Sequence, residues 1–201
     1  MKRAVALFEQ GKVSEANAVL DEAERDADEI LRGVREVKSV GRQSVEELLL
    51  KASVMLADEK LPIDERVSKT EEIYAKADQL AQECDYEMEK YDKLLFNYGN
   101  FLYTYAEYNK AIEVYLRLIH INEELYGAVH SDTATLYSNI GVILANNGDY
   151  DNALKYHFKA LAIREKALGL EHPDTAASYD NIGNVYNKID YDEALKYQLK
   201  A

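Results

Sequence analysis

The 201-residue chain is poor in cysteine and proline, and it has no long apolar run. A single cysteine, Cys84, excludes an internal disulfide and a cysteine-based metal cluster. The only prolines, Pro62 and Pro173, fall in segments that we predict to be linkers. Apolar runs such as 48–50 are far too short to span a bilayer. No charged-then-apolar signal segment follows Met1, so we expect a reducing, cytoplasmic environment.

Positive charge is also scarce, with 24 Lys and Arg residues against 37 Asp and Glu residues, a net charge of -13. A surface this acidic repels phosphate groups, so nucleic acids and anionic membranes are not expected partners. The sequence has no glycine loop for phosphate and no nucleophile motif. We therefore predict that the protein is not an enzyme, needs no cofactor and binds a protein or peptide.

The most informative feature that is present is an internal repeat. Gly99, Gly141 and Gly183 are evenly spaced, and the six-residue segments that end at them read LLFNYG, LYSNIG and SYDNIG. A fixed period of this length predicts stacked supersecondary units rather than a closed globule. Such a fold presents a long surface, which favours a binding function.

Each repeat has the pattern of two helices joined by a short turn. Apolar residues recur at three- and four-residue steps, which places them on one helix face. In one repeat they are Tyr137, Ile140, Gly141 and Leu144, followed by Ala153, Tyr156, Ala160 and Ile163. Between the two halves, Gly148 can adopt the left-handed conformation that ends a helix. The predicted fold class is therefore all-α, with antiparallel helix pairs.

The pattern of large and small residues resembles the tetratricopeptide repeat. The residues that carry the resemblance are Tyr137, Ile140, Gly141, Leu144, Ala153 and Ala160. The resemblance implies a right-handed α-solenoid, in which the small residues let neighbouring helices approach closely. The usual unit has about 34 residues, and the extra length here falls in the second helix and the linker. In this respect the segment 91–201 is similar to the longer repeats of kinesin light chains and their bacterial relatives.

The repeats divide the chain into three parts. We predict a partial, divergent repeat over 1–42 with a long second helix from Val13 to Val40. A divergent repeat follows over 43–88, whose first helix has Ser44 as N-cap. Two complete repeats and one truncated repeat occupy 89–201, and all parts are expected to form one continuous superhelical domain. The last repeat lacks the turn glycine, so its turn should be tighter or its first helix one residue shorter.

The chain stops within a predicted helix and has no polar cap. We therefore interpret it as a piece of a longer array. Uncapped repeat ends would also allow self-association.

Three asparagines, Asn97, Asn139 and Asn181, occupy the same position in successive repeats. The resemblance implies that the first helices line a concave groove and that these asparagines contact an extended peptide. A carboxamide offers both a donor and an acceptor, so it can pair with a peptide backbone whatever the side chains. Each such pair contributes about 1 kcal/mol net. The opposing interpretation is that they are solvated groove residues copied by duplication.

The other groove positions differ between repeats and would set specificity. They are Lys93, Phe96, Asn100, Tyr103 and Thr104, then Thr135, Ser138, Val142, Ala145 and Asn146, then Asp180, Asn184, Asn187 and Lys188. Only two of them are basic, whereas a clamp for a C-terminal carboxylate needs several lysines and arginines. We therefore expect a neutral to basic extended segment as the partner.

Two other hypotheses stay open for the function. The array could be a sensor arm that controls an effector domain outside the chain, or a scaffold that self-associates.

A metal site is not predicted, although His130 and His172 occupy matching linkers of successive repeats. Asp132 and Asp174 are interpreted as helix caps, and Pro173 as the stop of the preceding helix.

Overall fold

A computed structural model describes the backbone of residues 13–201 and the side chains from Arg32 onward. The first twelve residues of the predicted partial repeat over 1–42 lie outside this description. The described part of the chain has no β-strand and contains eight α-helices. They are α1 Val13–Ala57, α2 Ile63–Glu83, α3 Met88–Thr104, α4 Tyr108–Tyr126, α5 Ser131–Asn146, α6 Tyr150–Leu168, α7 Pro173–Tyr186 and α8 Tyr191–Gln198. The predicted all-α class is confirmed.

The chain forms two compact units, and the first of them ends at Glu87. In this unit α1 packs against α2. Tyr86 donates a hydrogen bond to Glu46 at 2.6 Å, and Arg66 donates one to the carbonyl oxygen of Leu56 at 2.8 Å. Val45, Ala52 and Ala77 are completely buried in the unit.

The predicted break near residue 43 is wrong. Helix α1 continues through Val40 and Ser44 to Ala57, so Ser44 is inside a helix and is not an N-cap. The close approach of Gly41 to the end of α2 gives a physical reason: a Cβ at Gly41 would lie 2.7 Å from the Cβ of Cys84, the C-cap residue of α2. Tertiary packing stabilises the helix where the local sequence favours a turn.

The second unit begins at Met88 and is a stack of helix pairs. Each of α3 to α7 packs against the next helix in the chain, as expected for a solenoid. One contact recurs with the repeat: Tyr137 donates a hydrogen bond to Glu123, and at the equivalent place in the next repeat Tyr179 donates one to Glu165. The repeated contact joins the first helix of each pair to the second helix of the preceding pair.

The turns can be compared with two details that the sequence predicts. Gly148, at the turn between α5 and α6, has φ 82°, which is the left-handed conformation that glycine favours. In the last repeat, where this glycine is missing, α7 has 14 residues and α5 has 16. The first helix of that repeat is therefore shorter by two residues, where the sequence predicted one.

Candidate peptide-binding groove

The three first helices of the repeats, α3, α5 and α7, carry the asparagines at one repeat position. Asn97 is exposed, whereas Asn139 and Asn181 are half-buried. We call the side of the second unit formed by these three helices the groove face. Depressions on this face lie between neighbouring first helices, and the intervening second helices, α4 and α6, contribute residues to them.

Each repeat glycine brings a side chain of the second helix close to the first. A Cβ at Gly99 would lie 2.5 Å from the ring of Tyr115, and one at Gly141 would lie 2.7 Å from the ring of His157. Tyr115 and His157 are one repeat apart, so they occupy equivalent positions. The glycine therefore makes room for the residue at this position.

Between α3 and α5 this space is filled by tyrosines. The hydroxyl of Tyr115 donates a hydrogen bond to Oδ1 of Asn100 at 2.6 Å, and the side chain of Asn139 binds the same hydroxyl. Asn146 donates to the hydroxyl of Tyr103 at 2.9 Å. Burial raises the pKa of Tyr115 to about 12. The cavity beside these side chains has a volume of about 80 Å³.

Between α5 and α7 the equivalent space is open. His157 replaces Tyr115 and Ala145 replaces Tyr103, since the members of each pair are one repeat apart. The smaller side chains leave a cavity of about 320 Å³, which we call the α5–α7 cavity. Its lining comprises Val142, Ala145, Asn146, Tyr150, His157, Asn181, Asn184, Val185 and Lys188.

His157 contributes a buried polar group to the α5–α7 cavity. It is 2% exposed, and its Nδ1 has no hydrogen-bond partner. Burial, and to a lesser extent the charge of Arg164, lowers the pKa of His157 to about 4. The imidazole is therefore neutral at pH 7, and its ring can offer a hydrogen bond without a charge.

The asparagines are already part of hydrogen bonds within the protein. Asn181 donates to the hydroxyl of Ser138 at 3.1 Å, and Asn139 binds Tyr115. The first bond joins the neighbouring first helices α5 and α7, and the second joins α5 to the second helix α4. This is a structural role that the sequence did not predict. A carboxamide has two donor hydrogens and an acceptor oxygen, so each amide keeps further hydrogen-bonding capacity.

The predicted groove residues do not all line cavities. Asn146, Asn181, Asn184 and Lys188 meet in the α5–α7 cavity, and Asn100, Tyr103 and Asn139 line the small one. Phe96 lines a third cavity. The predicted residues that line none of these three are Lys93, Asn97, Thr104, Ser138, Asp180 and Asn187.

Sequence reasoning missed the third cavity, of about 190 Å³, which also lies between α3 and α5. It is lined by Asp92, Phe96, Leu118, Asn122, Asp132, Thr135 and Leu136, and we call it the acidic cavity. Its polar residues come from three helices. The sequence did contain a signal for this cavity: the position equivalent to Asn122 in the next repeat is occupied by the much longer Arg164.

The repeated linker histidines cap helices. His130 and His172 are the N-caps of α5 and α7, and their Nδ1 atoms accept hydrogen bonds from the backbone amides of Asp132 and Asp174 at 3.3 and 3.2 Å. The prediction that the aspartates are the caps was therefore wrong. Pro173 begins α7 and does not stop α6, which ends at Leu168.

In the part of the chain that the structure describes, every helix is too short or too polar to span a bilayer. In the same part, His, Cys, Asp and Glu side chains form no group of three or more that could hold a metal ion.

The fold and its repeated contacts define the class as a helical-repeat protein. Within this class, residues 132–201 match the family model of the tetratricopeptide repeat. Tetratricopeptide repeats generally mediate protein–protein interactions, and proteins built from them are generally non-catalytic and soluble. The chain has no significant match among curated protein sequences.

Solved structures support the repeat fold. A putative kinesin light chain of nearly identical repeats from Podosopora anserina is 15% identical with a TM-score of 0.58, covering 85% of this chain and 92% of that one. BtubC (BKLC) from P. vanneervenii is 17% identical with a TM-score of 0.54, covering 81% and 71%.

A third solved structure is a Signal Transduction ATPase with Numerous Domains with a tetratricopeptide repeat sensor, from Pyrococcus horikoshii. It is 18% identical with a TM-score of 0.60 and covers 99% of this chain. The present chain spans 28% of that protein's length. At these identities the likeness concerns the fold.

Proposed function

We propose that the groove face binds an extended peptide segment of a partner protein, without catalysis. The observation that carries this proposal is the α5–α7 cavity, which is large enough for a peptide side chain. Pockets for small ligands start at about 300 Å³, and this one has about 320 Å³.

The lining of the α5–α7 cavity suits a polar peptide. Asn146, Asn184 and Lys188 are exposed, and Asn181 is half-buried beside them. Carboxamides can bind both the N–H and the C=O of an extended backbone. An apolar part of the cavity, which includes Val142, can contact a side chain. Specificity would then come from the cavity, and general affinity from the amides.

The proposal is tested by affinity selection from a randomised library of peptides, followed by titration of the selected sequences. The variant carries alanine at Asn139, Asn181 and Asn184. A matched control carries alanine at Asn109 and Asn147, which are exposed and line none of the three cavities. Loss of three hydrogen bonds should weaken binding by about 3 kcal/mol, or about a hundredfold, while the control binds normally.

Circular dichroism shows whether the variant is folded, because Asn139 and Asn181 also bind neighbours in the protein. Equal affinity of the folded variant and the control would exclude the groove face as the peptide site. The sensor-arm hypothesis uses the same groove, so these measurements test both alike. Self-association is tested separately, by sedimentation at rising protein concentration.

A further inference from the structure

The acidic cavity contains polar oxygen atoms that are buried without a hydrogen-bond partner. Asn122 is 1% exposed, and its Oδ1 has no partner. Oδ1 of Asp92, which lines the same cavity, is also buried and has no partner. Buried polar atoms are nearly always hydrogen-bonded in proteins. Two such acceptors at one cavity therefore point to a donor that comes from a ligand.

The orientation of the Asn122 amide follows from its neighbour. Asp92 and Asn122 are joined by a side-chain hydrogen bond, in which the amide is the donor because a carboxylate can only accept. The amide nitrogen therefore lies toward Asp92, and the amide oxygen is the atom without a partner.

The cavity also favours positive charge. Burial, followed by the negative charge of Asp132, raises the pKa of Asp92, against opposing effects of Asn122, His130 and Lys93. A cation placed beside two carboxylates would relieve both the burial and the repulsion of Asp92. The apolar part of such a ligand can contact the apolar residues of the lining, which are Phe96, Leu118 and Leu136.

The next repeat shows what chemistry fits this position. The residue equivalent to Asn122 is Arg164, which is 8% exposed. Its Nη1 donates to the carbonyl oxygen of Asp174 at 3.0 Å and to Oγ of Ser178 at 2.9 Å, and its Nη2 donates to Oγ1 of Thr135 at 3.3 Å. In that repeat the protein itself places a guanidinium between the first helices α5 and α7.

The equivalent positions of the two repeats indicate which ligand would fit the acidic cavity. Asp174 and Ser178 lie on α7 at the positions that Asp132 and Leu136 occupy on α5. Where an arginine fills the space in one repeat, the shorter Asn122 leaves it open in the preceding one. We propose that the acidic cavity binds the guanidinium of an arginine side chain, presented by the peptide in the groove. This inference rests on the proposed function and assigns one residue of the ligand.

The first experiment uses the full chain and a small probe. Nα-acetyl-arginine methylamide is titrated against ¹⁵N-labelled protein, and the neutral isostere Nα-acetyl-citrulline methylamide serves as the matched probe. The arginine probe should shift the side-chain amide signal of Asn122 and the backbone signal of Thr135, whereas the citrulline probe should not. Equal shifts with both probes, or none with either, would overturn the proposal.

Two variants locate the effect in the acidic cavity. Asp92→Asn removes the carboxylate with little change of shape and should weaken the arginine probe about tenfold or more, since hydrogen bonds between charged groups are the strong ones. Asp151→Asn removes the same charge from an exposed site on α6 and should leave the probe's affinity unchanged. Similar loss in both variants would mean that net charge alone attracts the probe, and the proposal would be wrong.

A third variant lets the protein fill the cavity itself. Asn122→Arg copies the arrangement of Arg164 and should exclude the arginine probe while the protein stays folded. Probe binding that persists in a folded Asn122→Arg protein would place the site elsewhere.

The peptide library separates this inference from the proposed function. Selected peptides that need the groove asparagines but show no preference for arginine over citrulline would overturn only the inference. Arginine-specific shifts without any peptide selection would overturn only the proposed function.

Discussion

At the scale of single residues, His157 links the repeat pattern to the open cavity. It occupies the position of Tyr115 beside the repeat glycine, but its ring is smaller and its Nδ1 lacks a partner. The glycine spacing predicted this close approach. The identity of the residue beside the glycine decides whether the groove is filled, as at Tyr115, or open, as at His157.

The buried neutral state of His157 predicts a dependence of stability on pH. Its pKa is about 4 in the folded protein and about 6.5 when unfolded. The unfolded state therefore binds the proton more readily, and stability falls as the pH drops from about 6.5 toward 4. Between pH 7.5 and 5 we expect a loss of about 2 kcal/mol from this residue. Urea unfolding of the wild type and of His157→Gln at both pH values measures it.

The comparison needs a second histidine, because carboxylates also titrate at low pH. His120 is exposed, so His120→Gln is the matched control. The control should lose as much stability as the wild type, whereas His157→Gln should lose about 2 kcal/mol less. An equal loss in all three proteins would show that the pKa of His157 is the same in the folded and unfolded states, which would contradict its burial in the neutral form.

Substitution of a repeat glycine and of a glycine in α1 should have opposite effects on stability. Gly141→Ala should destabilise the protein by about 1 kcal/mol or more, because the new Cβ would lie 2.7 Å from the buried ring of His157. A Cβ added at Gly33, in α1, would meet no atom within 4 Å, so Gly33→Ala should stabilise α1 by about 1 kcal/mol. Thermal unfolding followed by circular dichroism measures both. Stabilisation by both substitutions would contradict the close packing at Gly141.

At the scale of helices, the sequence predicted the regular repeats well and the divergent part poorly. The boundaries of α5 to α8 follow from residues at fixed positions, such as Gly148, whose effect is local. The continuity of α1 past Gly41 and Ser44 depends on packing against α2. Residues that are distant in sequence supply this stabilisation, and the local pattern does not contain it.

The groove likewise combines local features that the sequence shows with contacts between distant residues that it does not show. The asparagines at one repeat position were visible in the sequence, and Asn181 does line the α5–α7 cavity. The hydrogen bond between Asn181 and Ser138 joins residues of different repeats. The acidic cavity likewise combines α3, α4 and α5, so it became visible only when the helices were packed together.

A proline substitution tests the continuity of α1. Gln43 is exposed and lies within this helix. Gln43→Pro should destabilise the first unit by about 3 kcal/mol, because proline removes a backbone hydrogen bond and clashes with the preceding turn. Gln43→Ala, the control, should have little effect. If residues 41–44 were instead a linker between two helices, both variants would unfold at the same urea concentration.

At the scale of the whole molecule, helix stacking predicts that function is divided along the chain. Each helix of the second unit packs mainly against its neighbours in sequence, and in such an array stability is roughly a sum of local terms. The acidic cavity uses α3, α4 and α5, whereas the α5–α7 cavity also needs α7. The two sites should therefore respond differently to loss of the last helices.

Removal of residues 173–201 tests this division. The deletion exposes Leu154 and Leu161, which pack in a cluster with Ile182 and Val185, so the melting temperature should fall and α6 should lose protection from hydrogen exchange. Helices α3 to α5 should stay folded and keep the arginine-specific shifts of Asn122 and Thr135. Selected peptides that depend on Asn184 should no longer bind. If α3 to α5 unfold together with α6, the second unit folds as one cooperative globule. The two cavities could then not be assigned to separately stable repeats.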